Sequence, residues 1–147
     1  MSLADTIMQD LKAAMKAREK NRVDVLRLLK ARIKNLEIDK GRALTGEEEI
    51  QVLQSAAKKR KEAIDLYEKG NRPELAEKER EELAVIQSYL PEQLSREDVE
   101  REIVLIVEET GASSMKDLGK VMKEAMARLK GKADGKLVQE IVRSKLE

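Results

Sequence analysis

Lysine side chains are the groups in this sequence whose spacing could serve a chemical purpose, and that purpose would be phosphate binding. Lys116, Lys120 and Lys123 follow one another at four- and three-residue steps, which place side chains on one face of a helix. Ammonium groups on an exposed face neutralise the phosphates of a nucleic acid. The same pattern also suits an ordinary solvated face, because lysine is a good helix former. The spacing therefore leaves both interpretations open.

A second group of lysines surrounds a glycine-flanked turn a few residues later. Gly131 and Gly135 would let the backbone approach a ligand closely, and the free N–H groups of a following helix attract phosphate oxygens. The simpler interpretation is that Gly131 and Asp134 only cap helices and that the lysines only favour solubility. The predicted nucleic-acid-binding residues are, in full, Lys116, Lys120, Lys123, Lys130, Gly131, Lys132, Gly135 and Lys136.

Catalytic and metal-binding groups are sparse. The chain has no His and no Cys, which removes the commonest general base, the thiolate nucleophile and the usual zinc ligands. Ser113, Ser114 and Lys116 invite comparison with the Ser-Ser-Lys catalysis of amidases, but capping explains the serines and no glycine-rich motif surrounds them. We therefore predict no catalytic site, no metal and no cofactor. Five acidic residues could hold Mg²⁺ in principle, but along one helix they fit a solvated face better: Asp98, Glu100, Glu102, Glu108 and Glu109.

Length and composition set the class of protein. The chain has 147 residues, the size of one compact domain or two small subdomains, and 40% of them are charged. No segment approaches the roughly 18 apolar residues of a membrane helix. The opening residues lack the basic flank and the apolar core of a secretory signal. We therefore expect a soluble, cytoplasmic protein without a membrane partner.

Helices are predicted almost throughout, because helix-forming residues dominate and apolar residues recur every three or four positions. The first helix is predicted to extend to about Lys20, and Gly70 suits the position just after the third helix. Gly119 is predicted to mark close helix–helix packing. Seven helix starts are predicted from capping residues, namely Ser2, Asn21, Thr45, Asn71–Pro73, Ser95, Ser113 or Ser114, and Asp134.

Pro91 indicates a boundary, since proline disfavours helical geometry at the residue before it. The predicted fold class is all-α. Residues 1–90 are predicted to form a four-helix, bundle-like subdomain, and residues 91–147 a small three-helix subdomain.

Charge is distributed unevenly along the chain. Residues 1–44 have a net charge of +5, residues 45–90 of −3, residues 91–110 of −5 and residues 111–147 of +4. A basic segment that follows an acidic helix is an asymmetry that a polyanion-binding site could use. Its simpler explanation is that Lys and Glu are good exposed helix formers.

Three stretches carry a resemblance to a known family: LPEQLS at residues 90–95, GASSMKDLGKVM at residues 111–122 and GKADGK at residues 131–136. They resemble the YqeY family, the free-standing relatives of the C-terminal region of GatB. GatB is the tRNA-binding subunit of the glutamine-dependent amidotransferase. Ser2-Leu3 and VLRLL at residues 25–29 are also similar, so the resemblance covers essentially the whole chain.

The resemblance implies four N-terminal and three C-terminal helices and a role near tRNA, because this region of the amidotransferase contacts the body of the tRNA. It shows no counterpart of the catalytic part of GatB. We therefore expect a non-catalytic module that binds tRNA, or a tRNA–enzyme complex, through residues 91–147. One alternative is a helical adaptor that docks on an aminoacyl-tRNA enzyme or an amidotransferase complex. The other is a component with carbon–nitrogen ligase activity that uses glutamine as amido donor. The sequence predicts no particular oligomeric state.

Overall fold

The computed structural model describes every residue from Met1 to Glu147 and contains only helices, turns and connecting segments. The prediction of an all-α fold is confirmed. The chain divides into two compact units, Met1–Leu90 and Pro91–Glu147, here called the N-terminal and the C-terminal unit. No helix combines the length and the apolar character needed to cross a membrane. The helices are α1 (Leu3–Lys16), α2 (Lys20–Lys40), α3 (Gly46–Lys69), α4 (Pro73–Gln87), α5 (Arg96–Thr110), α6 (Leu118–Leu129) and α7 (Gly135–Leu146), with a 3₁₀ turn at Met115–Asp117 before α6.

Four helices begin at the residues that their capping patterns predict. The hydroxyl of Ser2 accepts a hydrogen bond from the backbone N–H of Asp5, whose carboxylate accepts from the N–H of Ser2. Thr45 has the same reciprocal arrangement at the start of α3. Single caps at Ser95 and Asp134 begin α5 and α7. Each cap satisfies N–H groups that the first turn of a helix leaves without a partner.

The predicted boundary between α1 and α2 is wrong. The first helix ends at Lys16, and not near Lys20, because Arg18 adopts a left-handed conformation with φ of 57°. Asn21 does not cap the second helix, which begins at Lys20. Instead, the Asn21 side chain donates a 2.6 Å hydrogen bond to Glu81 on α4. A left-handed arginine carries no sequence signal, since glycine is the usual residue there.

The end of α3 also differs from the prediction. Gly70 has φ of −83°, and Asn71 takes the left-handed conformation with φ of 56°. Asparagine tolerates this region because its short polar side chain bonds locally. The next helix then begins at Pro73, in the first-turn position that proline favours.

The N-terminal unit is built around α2, which packs against the other three helices of that unit. Leu26 and Leu29 on α2 are fully buried. They share one core with buried residues of α1, α3 and α4, among them Ile7, Leu53 and Ile86. Since burial of one such side chain contributes about 1.5–3 kcal/mol, this shared core fixes the positions of all four helices.

Two polar contacts also lie within the N-terminal unit. Arg60 on α3 donates to Glu82 on α4 at 3.2 Å and lies 3.6 Å from Glu79. The Tyr89 hydroxyl donates to the carboxylate of Asp10 on α1 at 2.5 Å. Burial and this carboxylate raise the pKa of Tyr89 well above its ordinary value, so the phenol stays protonated as the donor.

Glu48 is the acidic group with the densest set of partners. Its carboxylate accepts from Arg42 at 2.7 Å, from Lys40 at 2.6 Å and from the N–H of Thr45 at 2.9 Å. The bond from Arg42, followed by those from Lys40 and Thr45, holds the pKa of Glu48 well below its ordinary value of 4.5. A carboxylate with a lowered folded-state pKa stabilises the fold above its unfolded pKa, and this contribution is lost as the pH falls.

We therefore expect E48Q to lower the free energy of unfolding at about pH 7 and to have a smaller effect at about pH 3. Glutamine still supports a capping box, so the change isolates the charge. Urea unfolding at both pH values measures the difference. E62Q is the matched control, because Glu62 is exposed on the same helix. An E48Q effect that is equal at the two pH values would contradict the expectation.

The C-terminal unit is a three-helix cluster in which α5, α6 and α7 all contact one another. Ile103 and Ile106 on α5, Val121 on α6 and Ile141 on α7 are at most 1% exposed. This core is formed entirely by side chains of residues 94–146. It orients the polar faces that carry the lysines.

Candidate nucleic-acid interface

Lys116 does not lie on the sixth helix, and this part of the prediction is wrong. It belongs to the 3₁₀ turn, and α6 begins only at Leu118. The carboxylate of Asp117 accepts from the N–H of Ser113 at 3.0 Å, and the hydroxyl of Ser114 accepts from the N–H of Lys116. These local side-chain bonds compete with the helical pattern and delay its start. Ser114 is thus the capping serine, whereas Ser113 contributes its backbone N–H.

Lys120 and Lys123 lie on α6 and are exposed, as is Lys116. The ammonium group of Lys120 donates to the backbone carbonyl of Thr110 at 3.1 Å, so this side chain is held against the end of α5. Positions three apart on a helix are neighbours on its surface. The two α6 lysines therefore share one side of the helix, and Lys116 extends from the turn before it.

The segment between α6 and α7 carries the second group of lysines. Lys130, Lys132 and Lys136 are exposed. Gly131 is buried, with φ of 78°, and its carbonyl accepts from the Gln93 side chain at 2.7 Å. The prediction that Gly131 lets the backbone approach a partner is therefore wrong, because the protein itself covers this glycine.

Tight packing requires neither of two other glycines. A Cβ at Gly135 would lie 3.6 Å from Met126, an ordinary contact distance, so a methyl group fits there. A Cβ at Gly119 would meet no atom within 4 Å. Close helix packing therefore does not explain Gly119, which is exposed on α6. The packed face of α6 carries Val121, which is fully buried.

Gln93 and Leu94 hold the turn before α7 in place, a role that the sequence analysis did not assign to them. Besides the Gln93 bond to Gly131, the N–H of Leu94 donates to the carbonyl of Lys132 at 2.9 Å. These two bonds fix the turn that carries Lys130 and Lys132. The signal for them was the LPEQLS motif itself, whose partner 38 residues away is not visible from periodicity.

Salt bridges in the C-terminal unit use arginines. Arg96 pairs with Glu100 and Glu140, Arg101 pairs with Asp98, and Arg128 pairs with Glu109 and Glu124. The bond from Arg128 lowers the pKa of Glu109. Guanidinium groups thus engage five of the twelve acidic side chains of this unit. Lys116, Lys123, Lys132 and Lys136 are exposed and lie outside these pairs, as do Lys120 and Lys145.

A shallow groove on α5 has the opposite character. Its apolar floor is formed by Val104 and Leu105, which are 38% and 47% exposed. The other residues that line it are Glu97, Glu100, Arg101, Glu108 and Lys145. One element of the C-terminal unit thus presents acidic and apolar groups, whereas α6 and the turn before α7 present ammonium groups.

Comparison with known proteins places this sequence in a family. The model of the family described as Yqey-like protein matches residues 4–146. The chain belongs to the YqeY family. The resemblance found in the three C-terminal motifs is thereby confirmed.

Relatives of this YqeY-family chain have diverse names. Altered inheritance of mitochondria protein 41 of Vanderwaltozyma polyspora is 32% identical over 120 residues, which cover 76% of this chain and 64% of the relative. An uncharacterized protein of Schizosaccharomyces pombe is 31% identical over 94 residues, 64% of this chain and 76% of the relative. A glutamyl-tRNA(Gln) amidotransferase subunit of Thermococcus sibiricus is 47% identical over 51 residues. That match covers 35% of this chain but only 8% of the relative.

Proposed function

We propose that this protein is a non-catalytic module that binds tRNA through the lysines of its C-terminal unit. The observation that carries the proposal is that the unit leaves Lys116, Lys123, Lys132 and Lys136 exposed and outside its salt bridges. With Lys120 and Lys130 these residues form what we call the lysine edge. Ammonium groups that meet phosphates release counterions, and this release is the main source of sequence-independent affinity.

The chemistry of the lysine edge suits recognition of RNA by its shape. Lysine presents a point charge without the fixed fork that reads base edges, and phosphate contacts dominate recognition of folded RNA. The match to an amidotransferase that acts on glutamyl-tRNA(Gln), judging by its name, supports tRNA as the RNA. Because that match covers only 8% of the relative, ligase activity is not part of the proposal. An amidotransferase or aminoacyl-tRNA enzyme complex is the proposed setting.

Fluorescence anisotropy of the whole protein with total tRNA, and with duplex DNA as the charge-matched comparison, tests the proposal. We expect tRNA binding to persist at about 0.15 M salt, with weaker binding to the duplex. Equal and weak binding to both that disappears as salt rises would contradict the proposal, because it would reflect non-specific attraction alone.

The groove on α5 favours a second candidate function, an adaptor that binds a protein. Val104 and Leu105 provide an apolar centre, and three glutamates line the same groove. Such a surface fits the basic, amphipathic helix of a partner. A protein partner that is retained after nuclease treatment, together with failure of the tRNA test, would favour the adaptor.

A further inference from the structure

The solvent side of α2 carries a line of cations that is separate from the lysine edge. Lys20, Arg27 and Lys34 are seven residues apart, and all three are exposed. Seven residues are nearly two helical turns, so the side chains lie almost in line, roughly 10 Å apart along the axis. The half-buried Lys30 lies beside this line. We call Lys20, Arg27 and Lys34 the α2 line.

The α2 line points away from the core of its unit. At about 100° per residue, its members lie roughly 140–180° around the helix from Leu29, which is 1% exposed. The position of the line on the helix is therefore fixed by the buried residues Val25, Leu26, Leu29 and Ile33.

Salt bridges in the N-terminal unit leave the α2 line unpaired. The other basic residues at the ends of α2 are engaged: Arg22 lies 3.9 Å from Glu19, and Lys40 lies 2.6 Å from Glu48. Asp24 is exposed beside the line but forms no salt bridge with Lys20 or Arg27. The charge of +5 over residues 1–44 is thus presented in part as three free cations in a row.

We infer that the α2 line is a second phosphate-contacting surface for folded RNA. This inference rests on the proposed function, which it extends to the N-terminal unit. The line spans about 21 Å, a length over which one nucleic-acid strand offers several phosphates. An anionic membrane is the other polyanion that such a line could meet. It is disfavoured because a membrane-bound helix needs a continuous apolar face, and the exposed Leu28 and Ile38 are ten residues apart.

The test is tRNA binding by the full-length variant K20Q/R27Q/K34Q over a range of salt concentrations. We expect the slope of log K against log salt to become shallower by about two to three, since each phosphate contact contributes roughly 0.7–0.9. At about 0.1 M salt this corresponds to binding that is weaker by on the order of a hundredfold. Glutamine is a good helix former, so α2 should be preserved, which circular dichroism checks.

The matched control is K58Q/K59Q/K61Q, which removes the same charge from exposed positions on α3. Lys58 and Lys61 are neighbours on the helix surface, but Lys59 points in another direction and the three span less than one turn and a half, so they form no line along the axis. We expect the control to leave the slope almost unchanged. An equal loss in both variants would overturn the inference in favour of a net-charge effect.

The outcomes separate this inference from the proposed function. If K20Q/R27Q/K34Q binds tRNA like the wild type whereas loss of the lysine edge abolishes binding, the α2 line is refuted and the proposed function stands. If only the α2 variant loses binding, the line is supported and the lysine edge is refuted. If neither variant changes binding, both are refuted. Loss of binding to phosphatidylserine vesicles with unchanged tRNA binding would assign the line to a membrane and overturn the inference.

Discussion

Removal of four cations from the lysine edge at once is expected to weaken tRNA binding by on the order of a thousandfold at about 0.1 M salt. The variant is K116A/K120A/K132A/K136A. Each ammonium group that contacts a phosphate contributes roughly 0.7–0.9 to the salt slope, so the slope should become shallower by about three. Anisotropy titrations at four or more salt concentrations measure both quantities.

The structure indicates that the fold of this variant should be preserved, because the substitutions remove few hydrogen bonds. The carbonyl of Lys132 accepts from Leu94, and alanine keeps that backbone bond. Only the Lys120 bond to the Thr110 carbonyl is lost, and it is exposed. The charge-matched control is K58A/K59A/K61A/K69A on α3, where all four lysines are exposed. Wild-type affinity in the edge variant, or an equal loss in the control, would refute the lysine edge.

Replacement of Arg60 by methionine is expected to lower the free energy of unfolding by about 2 kcal/mol. The side chains of Arg60, Glu79 and Glu82 are only 13%, 19% and 12% exposed. Methionine would leave two carboxylates close together and largely shielded from water. Loss of one partner of a fully buried pair costs about 3–5 kcal/mol, whereas an exposed pair contributes about 0–1, and this site is intermediate. Urea unfolding at neutral pH measures the change.

The pH dependence of R60M distinguishes this cause from a loss of packing. Burial, followed by repulsion from Glu82, already raises the pKa of Glu79 in the wild type. A carboxyl whose folded-state pKa is raised destabilises the fold when it ionises, and protonation relieves that penalty as the pH falls. The R60M deficit should therefore be smaller at about pH 4 than at pH 7. The triple variant R60M/E79Q/E82Q should recover much of the stability at pH 7. A deficit that is equal at both pH values and persists in the triple variant would indicate packing.

Sequence was sufficient for features that neighbouring residues determine. The capping boxes at Ser2 and Thr45 formed as predicted, since donor and acceptor are three residues apart. The sequence was not sufficient where a residue other than glycine adopts the left-handed backbone conformation. The left-handed Arg18 and Asn71 end helices without a glycine, so composition does not reveal these turns.

In the candidate site, too, some features could be predicted from the sequence and others could not. The exposure of Lys120, Lys123 and Lys136 follows from helix periodicity and polarity. The 3₁₀ turn at Lys116 depends on a local hydrogen bond, in which the carboxylate of Asp117 accepts from the backbone N–H of Ser113. The sequence does not reveal whether that carboxylate bonds locally or stays in solvent. The carbonyl of Gly131 accepts a hydrogen bond from Gln93, a partner distant in sequence. Contacts of that kind are set by tertiary packing, which a pattern of apolar residues does not encode.

The bonds from Gln93 and Leu94 to the turn before α7 reduce the conformational entropy that the turn would lose on binding a ligand. To order a flexible backbone costs about 1–2 kcal/mol of conformational entropy per residue. Here the carbonyls of Gly131 and Lys132 are already held by residues of the same unit. That entropy is lost when the chain folds, so only the lysine side chains remain to be ordered at the encounter. The turn is preorganised, so the proposed binding of a polyanion would not include the cost of ordering its backbone.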